Sequence, residues 1–367
     1  MRQTDQKMKC RLFMLIIAGL FFNAGAFAQV KTIAPEKVWS AKKAADWYKT
    51  QPYLVGANYI PANAINQLEM WQADTFDPAT IDKELGWAEN IGMKTMRVFL
   101  HSLAYKADPA GFKLRIDQFL SIADKHHIKP MFVFFDDCWN KVPQIGKQPE
   151  KKIGIHNSGW MQDPGDPAYK DPANYPALET YVKDILKSFS HDKRILLWDL
   201  YNEPGNSGKT GSSMTLLSNI FTWARAVNPE QPITAGLWNW GEKFNELNRF
   251  QLANSDVISY HCYDNPELHL RTIELLKFHG KPLICTEYMA RTRNSTFTNI
   301  LPLLKKENVV AINWGFVDGK TNTKYAWDTP MADGGEPALW FHEIFKADGS
   351  PYKNEETELI RKVTGVK

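Results

Sequence analysis

Short apolar runs rich in β-branched and aromatic residues recur along the chain. Each is followed by a polar loop and, in most cases, by a stretch with helical spacing. The runs predict strands at Tyr53–Asn58, Thr95–Leu100, Pro130–Phe135, Ile195–Leu200, Pro232–Leu237, Val257–His261, Pro282–Thr286 and Val309–Trp314. Between them, Pro78–Ile91 puts Leu85, Ala88 and Ile91 on one face, with Asp77 as N-cap. Phe112–His126 and Pro176–Phe189 carry similar apolar stripes, and Ser213–Val227, Glu267–Phe278, Thr298–Lys306 and Pro337–Phe345 supply further helices. The unit after the fifth strand is the weakest, with a short helix at most in Gly241–Phe250. Alternating strands and helices predict parallel pairing with crossover helices. Eight such units in 367 residues predict an α/β protein, a single-domain (β/α)8 TIM barrel with long loops on its C-terminal face.

This pattern divides the chain into a leader (1–28), an N-terminal cover (29–51, helical around Lys42–Lys49), the barrel (52–350) and a C-terminal helix or tail (351–367). The leader carries Lys7, Lys9 and Arg11, then the apolar run Leu12–Phe22, then Ala26-Phe27-Ala28. That order predicts a cleaved signal peptide and a secreted or periplasmic protein. The run is short for a bilayer, so no membrane insertion is expected after leader removal. The longest insertion, Asp136–Asn174, follows the third strand, on the face where barrel enzymes place their sites.

Composition narrows the chemistry. A net charge of +3 gives no footing for nucleic acid or an anionic membrane. Aromatic residues make up 13%, with thirteen Trp, and flat aromatic faces suit stacking on pyranose rings. Removing the leader removes Cys10 and leaves Cys138, Cys262 and Cys285, an odd number without zinc spacing. Free buried thiols are expected, although a Cys262–Cys285 bridge stays open. No Gly-rich phosphate loop follows any strand, so no cofactor is expected. No metal site is expected either, because His126 and His127 lie near a helix end and His261 has no evident metal-binding partner.

Two strands end in glutamate. Leu196-Leu197-Trp198-Asp199-Leu200-Tyr201-Asn202-Glu203-Pro204 closes the fourth unit, and Pro282-Leu283-Ile284-Cys285-Thr286-Glu287 the seventh. In a barrel these ends face each other across the mouth. Either glutamate alone is equally explained by a rim salt bridge. Together they suit glycoside hydrolysis, which needs one carboxyl protonated and another ionised.

In these residues the sequence resembles clan A of the glycoside hydrolases, the retaining barrels that include the cellulase-like family five. The resemblance runs over about residues 50 to 345. It implies Glu203 as acid/base and Glu287 as nucleophile. It further implies that Tyr263, in His261-Cys262-Tyr263, bonds the nucleophile while His261 lines the cleft. Arg97 would hold the nucleophile ionised, Asn202 would donate to the sugar 2-hydroxyl, and Trp314 would be the platform under the sugar. Family five often has a histidine near the end of strand three. Here Asp136 or Asp137 stands in that zone, and His101 is an alternative occupant. Asn58, Tyr59, Trp71, Trp139, Trp160, Trp238, Trp240 and Trp327 are further candidates for sugar contact.

The expected substrate is an oligo- or polysaccharide with β-linkages of the glucan or mannan type, and the protein is expected to act as a monomer. Asn66–Gln72 is a segment able to close one end of the cleft. Alternatives are a barrel that binds sugar without catalysis, a clan A exo-glycosidase of β-galactosidase or β-mannosidase type, and a metal-dependent hydrolase.

Overall fold

The computed structural model describes residues 30–366, so the expected leader lies outside the described residues. Eight strands are present: β1 (Val55–Tyr59), β2 (Thr95–Phe99), β3 (Lys129–Asp136), β4 (Leu197–Asn202), β5 (Ile233–Thr234), β6 (Ile258–His261), β7 (Leu283–Glu287) and β8 (Val310–Asn313). They pair in parallel in the order β5-β4-β3-β2-β1-β8-β7-β6. Leu237 closes the ring: its N–H donates to Ser259 O (3.0 Å), and its carbonyl accepts from His261 N (2.7 Å). The fifth strand is shorter than expected, because only Ile233 and Thr234 stay in register with β4. The result is a (β/α)8 barrel.

The longer helices are α1 (Ala41–Lys49), α2 (Pro78–Asn90), α3 (Pro109–Lys125), α4 (Tyr175–Phe189), α5 (Met214–Val227), α6 (Asn245–Asn254), α7 (Pro266–Lys277), α8 (Phe297–Lys306) and α9 (Asn354–Thr364). Asp77 caps α2, accepting from Ala79 N (3.0 Å) and Thr80 N (3.1 Å). Ile81, Leu85 and Ala88 of that helix are fully buried against the barrel.

One expected helix is absent. Pro337–Phe345 is irregular, because Arg291 takes the carbonyls of Trp340 (3.0 Å), His342 (2.6 Å) and Glu343 (2.8 Å). The eighth outer position belongs to α9, which packs on α8 and reaches α2 through Arg361 Nε and Asn90 O (3.1 Å).

The lower barrel interior is apolar, built from Leu54, Met131, Leu197, Val257, Ile284, Val310 and Ile312. Trp39 and Ala44, the latter on α1, join this cluster and cap that end. The other end carries the polar side chains described next.

Arg291 also grips both carboxylate oxygens of Glu356 on α9 (2.9 and 2.5 Å), with both side chains buried. Removing one partner of a buried pair strands the other charge. Glu356→Ala is therefore expected to lower the unfolding free energy by about 3–5 kcal/mol in urea titration. A loss below about 0.5 kcal/mol, the range of ordinary surface changes, would show that α9 does not brace the barrel.

Candidate active site

The site forms where the strands end. Asn202 is the last residue of β4, and Glu203 then takes φ +46°, a left-handed conformation that non-glycine residues seldom adopt. Gly205 follows at φ +91°, where a Cβ would come within 2.8 Å of Phe244 and 2.9 Å of Thr210 O. Asp137, just beyond β3, holds this turn. Its buried carboxylate accepts from Gly205 N (2.8 Å), Tyr201 OH (2.8 Å), Lys209 Nζ (2.6 Å) and Ser213 Oγ (2.6 Å). Strain at Glu203 persists because these bonds over-determine the loop.

Arg97 lies in the middle of β2 and is fully buried. Its guanidinium donates to Asp199 on β4 (3.0 and 2.8 Å), Asn202 (2.7 Å), Asn58 on β1 (2.9 Å) and Glu287 at the end of β7 (3.0 Å). Only a side chain inside the barrel reaches three other strands at once.

Glu287 Oε1 takes the bond from Arg97, and its Oε2 accepts from Tyr263 OH (2.8 Å). Glu203 lies opposite. Its Oε1 is 2.7 Å from His261 Nδ1, and its Oε2 accepts from the Cys138 thiol (3.2 Å) and the Asn206 amide. His261 Nδ1 is also 3.4 Å from Glu287 Oε2, so one imidazole nitrogen lies between the two carboxyls. One oxygen from each glutamate and a nitrogen of His261 all fall within 4.8 Å of one another.

Burial pushes both carboxyls above their ordinary value, and for Glu287 the neighbouring Glu203 adds to it. Burial also lowers His261 to about 4, leaving its ring neutral at higher pH. The Cys138 thiol is pushed far up by burial and keeps its proton. We place the shared proton on Glu203. Arg97 and Tyr263 stabilise a negative Glu287, whereas the partners of Glu203 are all neutral. One protonated and one ionised carboxyl then face each other.

The remaining expected site residues divide into two groups. Trp314, Trp139 and Trp240 line the cleft, a cavity of about 730 Å³ that contains both glutamates. Trp238, Trp160 and Trp327 line it too. Asn202 reaches the cleft, but its Nδ2 already donates to Asp136 (2.9 Å).

Asn58 and Asp136, expected to touch sugar, instead serve as bracing. Asn58 gives its amide to Thr286 O (2.7 Å) and Asn313 O (3.1 Å). Asp136, raised to about 6 by burial, accepts from Trp160 Nε1 (2.7 Å), Asn202 (2.9 Å) and Cys138 N (2.9 Å). Arg97 touches Glu287 rather than open cleft. Tyr59 and Trp71 belong to the core, where Tyr59 donates to Glu84 (2.9 Å) and Trp71 to Phe99 O (2.7 Å). His101 is buried beside Asp163 (3.6 Å) and does not line the cleft. Cys138 stands beside Glu203 (3.2 Å). All three described cysteines are free.

The site roles of Asp199, Cys138 and Asn206 and the anchoring role of Asp137 are absent from the sequence analysis, which has Cys138 only as a free thiol. Asp199 alone had a signal, a charge in the middle of an apolar strand. Among the described residues, Glu203, His261 and Glu287 are the group able to hold a metal ion. A metal ion fits there poorly, since the Arg97 guanidinium, 3.0 Å from Glu287 Oε1, already neutralises that carboxylate and would repel a second cation.

Residues 152–320 match the family model Cellulase (glycosyl hydrolase family 5), a span that holds both glutamates. With the barrel, this makes the chain a glycosyl hydrolase. The matched family is the cellulase-like one. No curated protein matches the chain in sequence.

Solved structures of similar fold include an endo-β-1,4-mannanase from Thermotoga petrophila, with 15% identity, 87% of this chain and 78% of that one covered, and a TM-score of 0.55. An exo-β-1,4-mannosidase from Opitutaceae bacterium strain TAV5 has 17% identity and a TM-score of 0.60, covering 85% of this chain and 60% of that one. An endo-1,4-β-mannanase from Rhizomucor miehei has 16% identity and a TM-score of 0.53, covering 86% and 95%. At these identities the likeness is one of fold.

Donors to a carboxylate favour its charged form, so losing one raises the pKa. Tyr263→Phe should raise the Glu287 value and Cys138→Ala that of Glu203, read by carbon-13 NMR titration of labelled glutamate. A fall in either would refute the assigned hydrogen bonds.

Proposed function

We propose that the chain is a retaining β-glycosidase acting on glucan- or mannan-type linkages through a glycosyl-enzyme intermediate. The observation that supports this most is the approach of the Glu203 and Glu287 oxygens to within 4.8 Å. Inverting enzymes hold their carboxyls about 6.5–9.5 Å apart to admit a water, whereas retaining enzymes hold them about 5–5.5 Å apart.

In the first step Glu287 attacks the anomeric carbon while Glu203 gives its proton to the departing oxygen. The C–O bond to the leaving group breaks, and an ester to Glu287 forms. Glu287 is then neutral. Its repulsion on Glu203 is gone, and Glu203 becomes a stronger acid and stays ionised. In the second step Glu203 takes a proton from water, the hydroxyl adds to the anomeric carbon, and Glu287 leaves as carboxylate. Arg97 and Tyr263 receive that charge back. Trp314 supplies an apolar face for the sugar ring.

The neighbours of similar fold include a β-1,4-mannanase and a β-1,4-mannosidase, which favours testing β-1,4-mannosides first. We also propose export by the N-terminal leader and action as a monomer.

Proton NMR of the first-formed sugar is the test. The retained anomer should appear first, and initial release of the inverted anomer would overturn the mechanism. Glu203→Gln should slow hydrolysis of unactivated glycosides by about 10²–10⁴-fold, the usual worth of general acid–base catalysis. It should also abolish the alkaline limb of the kcat/KM profile.

A further inference from the structure

The loop after β3 does more than carry Cys138. Residues 152–162 run back over the barrel mouth and are fastened on both sides. Toward the loop after β1, Asn66 donates to Gly159 O (2.8 Å) and Gln148 (2.9 Å), and Gln67 donates to Met161 O (3.0 Å). A Cβ on Gly159 would lie 2.4 Å from Ile65, so the two loops touch with no gap. Toward the loop after β8, Asn157 N donates to Thr321 O (2.8 Å), Met331 N to Gly154 O (3.0 Å) and Asn322 to Lys152 O (2.8 Å). His156 Nδ1 lies 2.8 Å from Tyr325 O. Three loops thus form one wall.

The inner face of this wall is His156, Asn157 and Trp160, all lining the cleft. Trp160 packs edge-on against Trp314 with centroids 5.4 Å apart, and against Phe99 at 5.1 Å. The wall therefore begins at the edge of the sugar platform itself. Across the glutamates the cleft is different. Glu203 and Asn206 lead to Trp238, whose Nε1 donates to Pro204 O (3.1 Å), and then to Trp240, which is 46% exposed.

The proton donor must face the departing oxygen, so the leaving group lies on the Glu203–Trp240 side. The glycone then lies on Trp314, with the wall behind it.

Resting on the catalytic reading above, we infer that the cleft is blind on the glycone side and that the protein removes single terminal sugars from the non-reducing ends of β-linked chains. A chain continuing past Trp314 meets fixed backbone rather than groove. The leaving portion has no such limit, and Trp240 offers it a platform.

The test uses the full protein and reducing-end-labelled β-1,4-linked hexasaccharides of mannose, glucose and xylose, with aryl β-glycosides of the same sugars. The expected early product is a labelled pentasaccharide with an equal amount of free monosaccharide. Early labelled fragments of mixed length would overturn the blind cleft while leaving the catalytic reading intact. Absence of hydrolysis on every oligosaccharide and aryl glycoside would overturn the catalytic reading, and this inference with it. Trp240→Ala should raise KM for the hexasaccharide with little change in kcat. An unchanged KM would remove Trp240 from the leaving-group side.

Discussion

A single buried cation organises the barrel mouth. Stripping the Arg97 guanidinium of water costs several kcal/mol unless charge and hydrogen bonds replace the solvent. Two carboxylates and two amide oxygens do so, drawn from β1, β4 and β7. Glu287 is one of those counter-ions, so its position is set by the folding of the barrel as much as by chemistry. Asp199 shares the guanidinium from the other side and has no cleft contact. This arrangement breaks the symmetry of the glutamate pair. The carboxyl that touches Arg97 is the better stabilised as an anion, and the one that touches a thiol, an amide and a neutral imidazole is the better holder of a proton.

The second constraint comes from β3 and the residues that follow it. Asp137 fixes the strained turn that aims Glu203, and Asp136 fixes Trp160 through its indole N–H. Two adjacent acids thus connect Glu203 and the wall to the same strand end. Neither touches the reacting centre directly. A change in either would move groups on both sides of the cleft together.

Strand ends were readable in the sequence because their signal is local. An apolar run closing in Asn202-Glu203 or Thr286-Glu287 states both the strand and the side chain at its mouth. The same locality misled at Pro337–Phe345, an apolar stretch whose carbonyls are taken by Arg291 from a distant loop. Asn58 and Asp136 sit at strand ends as expected, but the partners of an amide or carboxyl come from neighbouring strands, which sequence spacing does not reveal. Cys138 was visible only as an odd thiol. Nothing near it indicates that it reaches Glu203 from another strand's loop. Sequence marks Asn66–Gln72 only as a segment able to close the cleft, and the bonds of Asn66 and Gln67 to residues 159 and 161 join loops far apart in sequence.

Wall and electrostatics are not separate features. Both glutamates are raised chiefly by burial, and burial here means exclusion of water from the mouth of an open-ended barrel. The strands alone cannot provide that, since their ends face solvent. The loops after β1, β3 and β8 close one side, and the Trp314–Trp160 pair seals the floor against them. A low-dielectric setting also strengthens the Arg97–Glu287 attraction relative to an open groove. The same loops that bound one side of the cleft therefore help to separate the proton affinities of the two carboxyls. Under the blind-cleft proposal, substrate length and acid–base poise have a common origin.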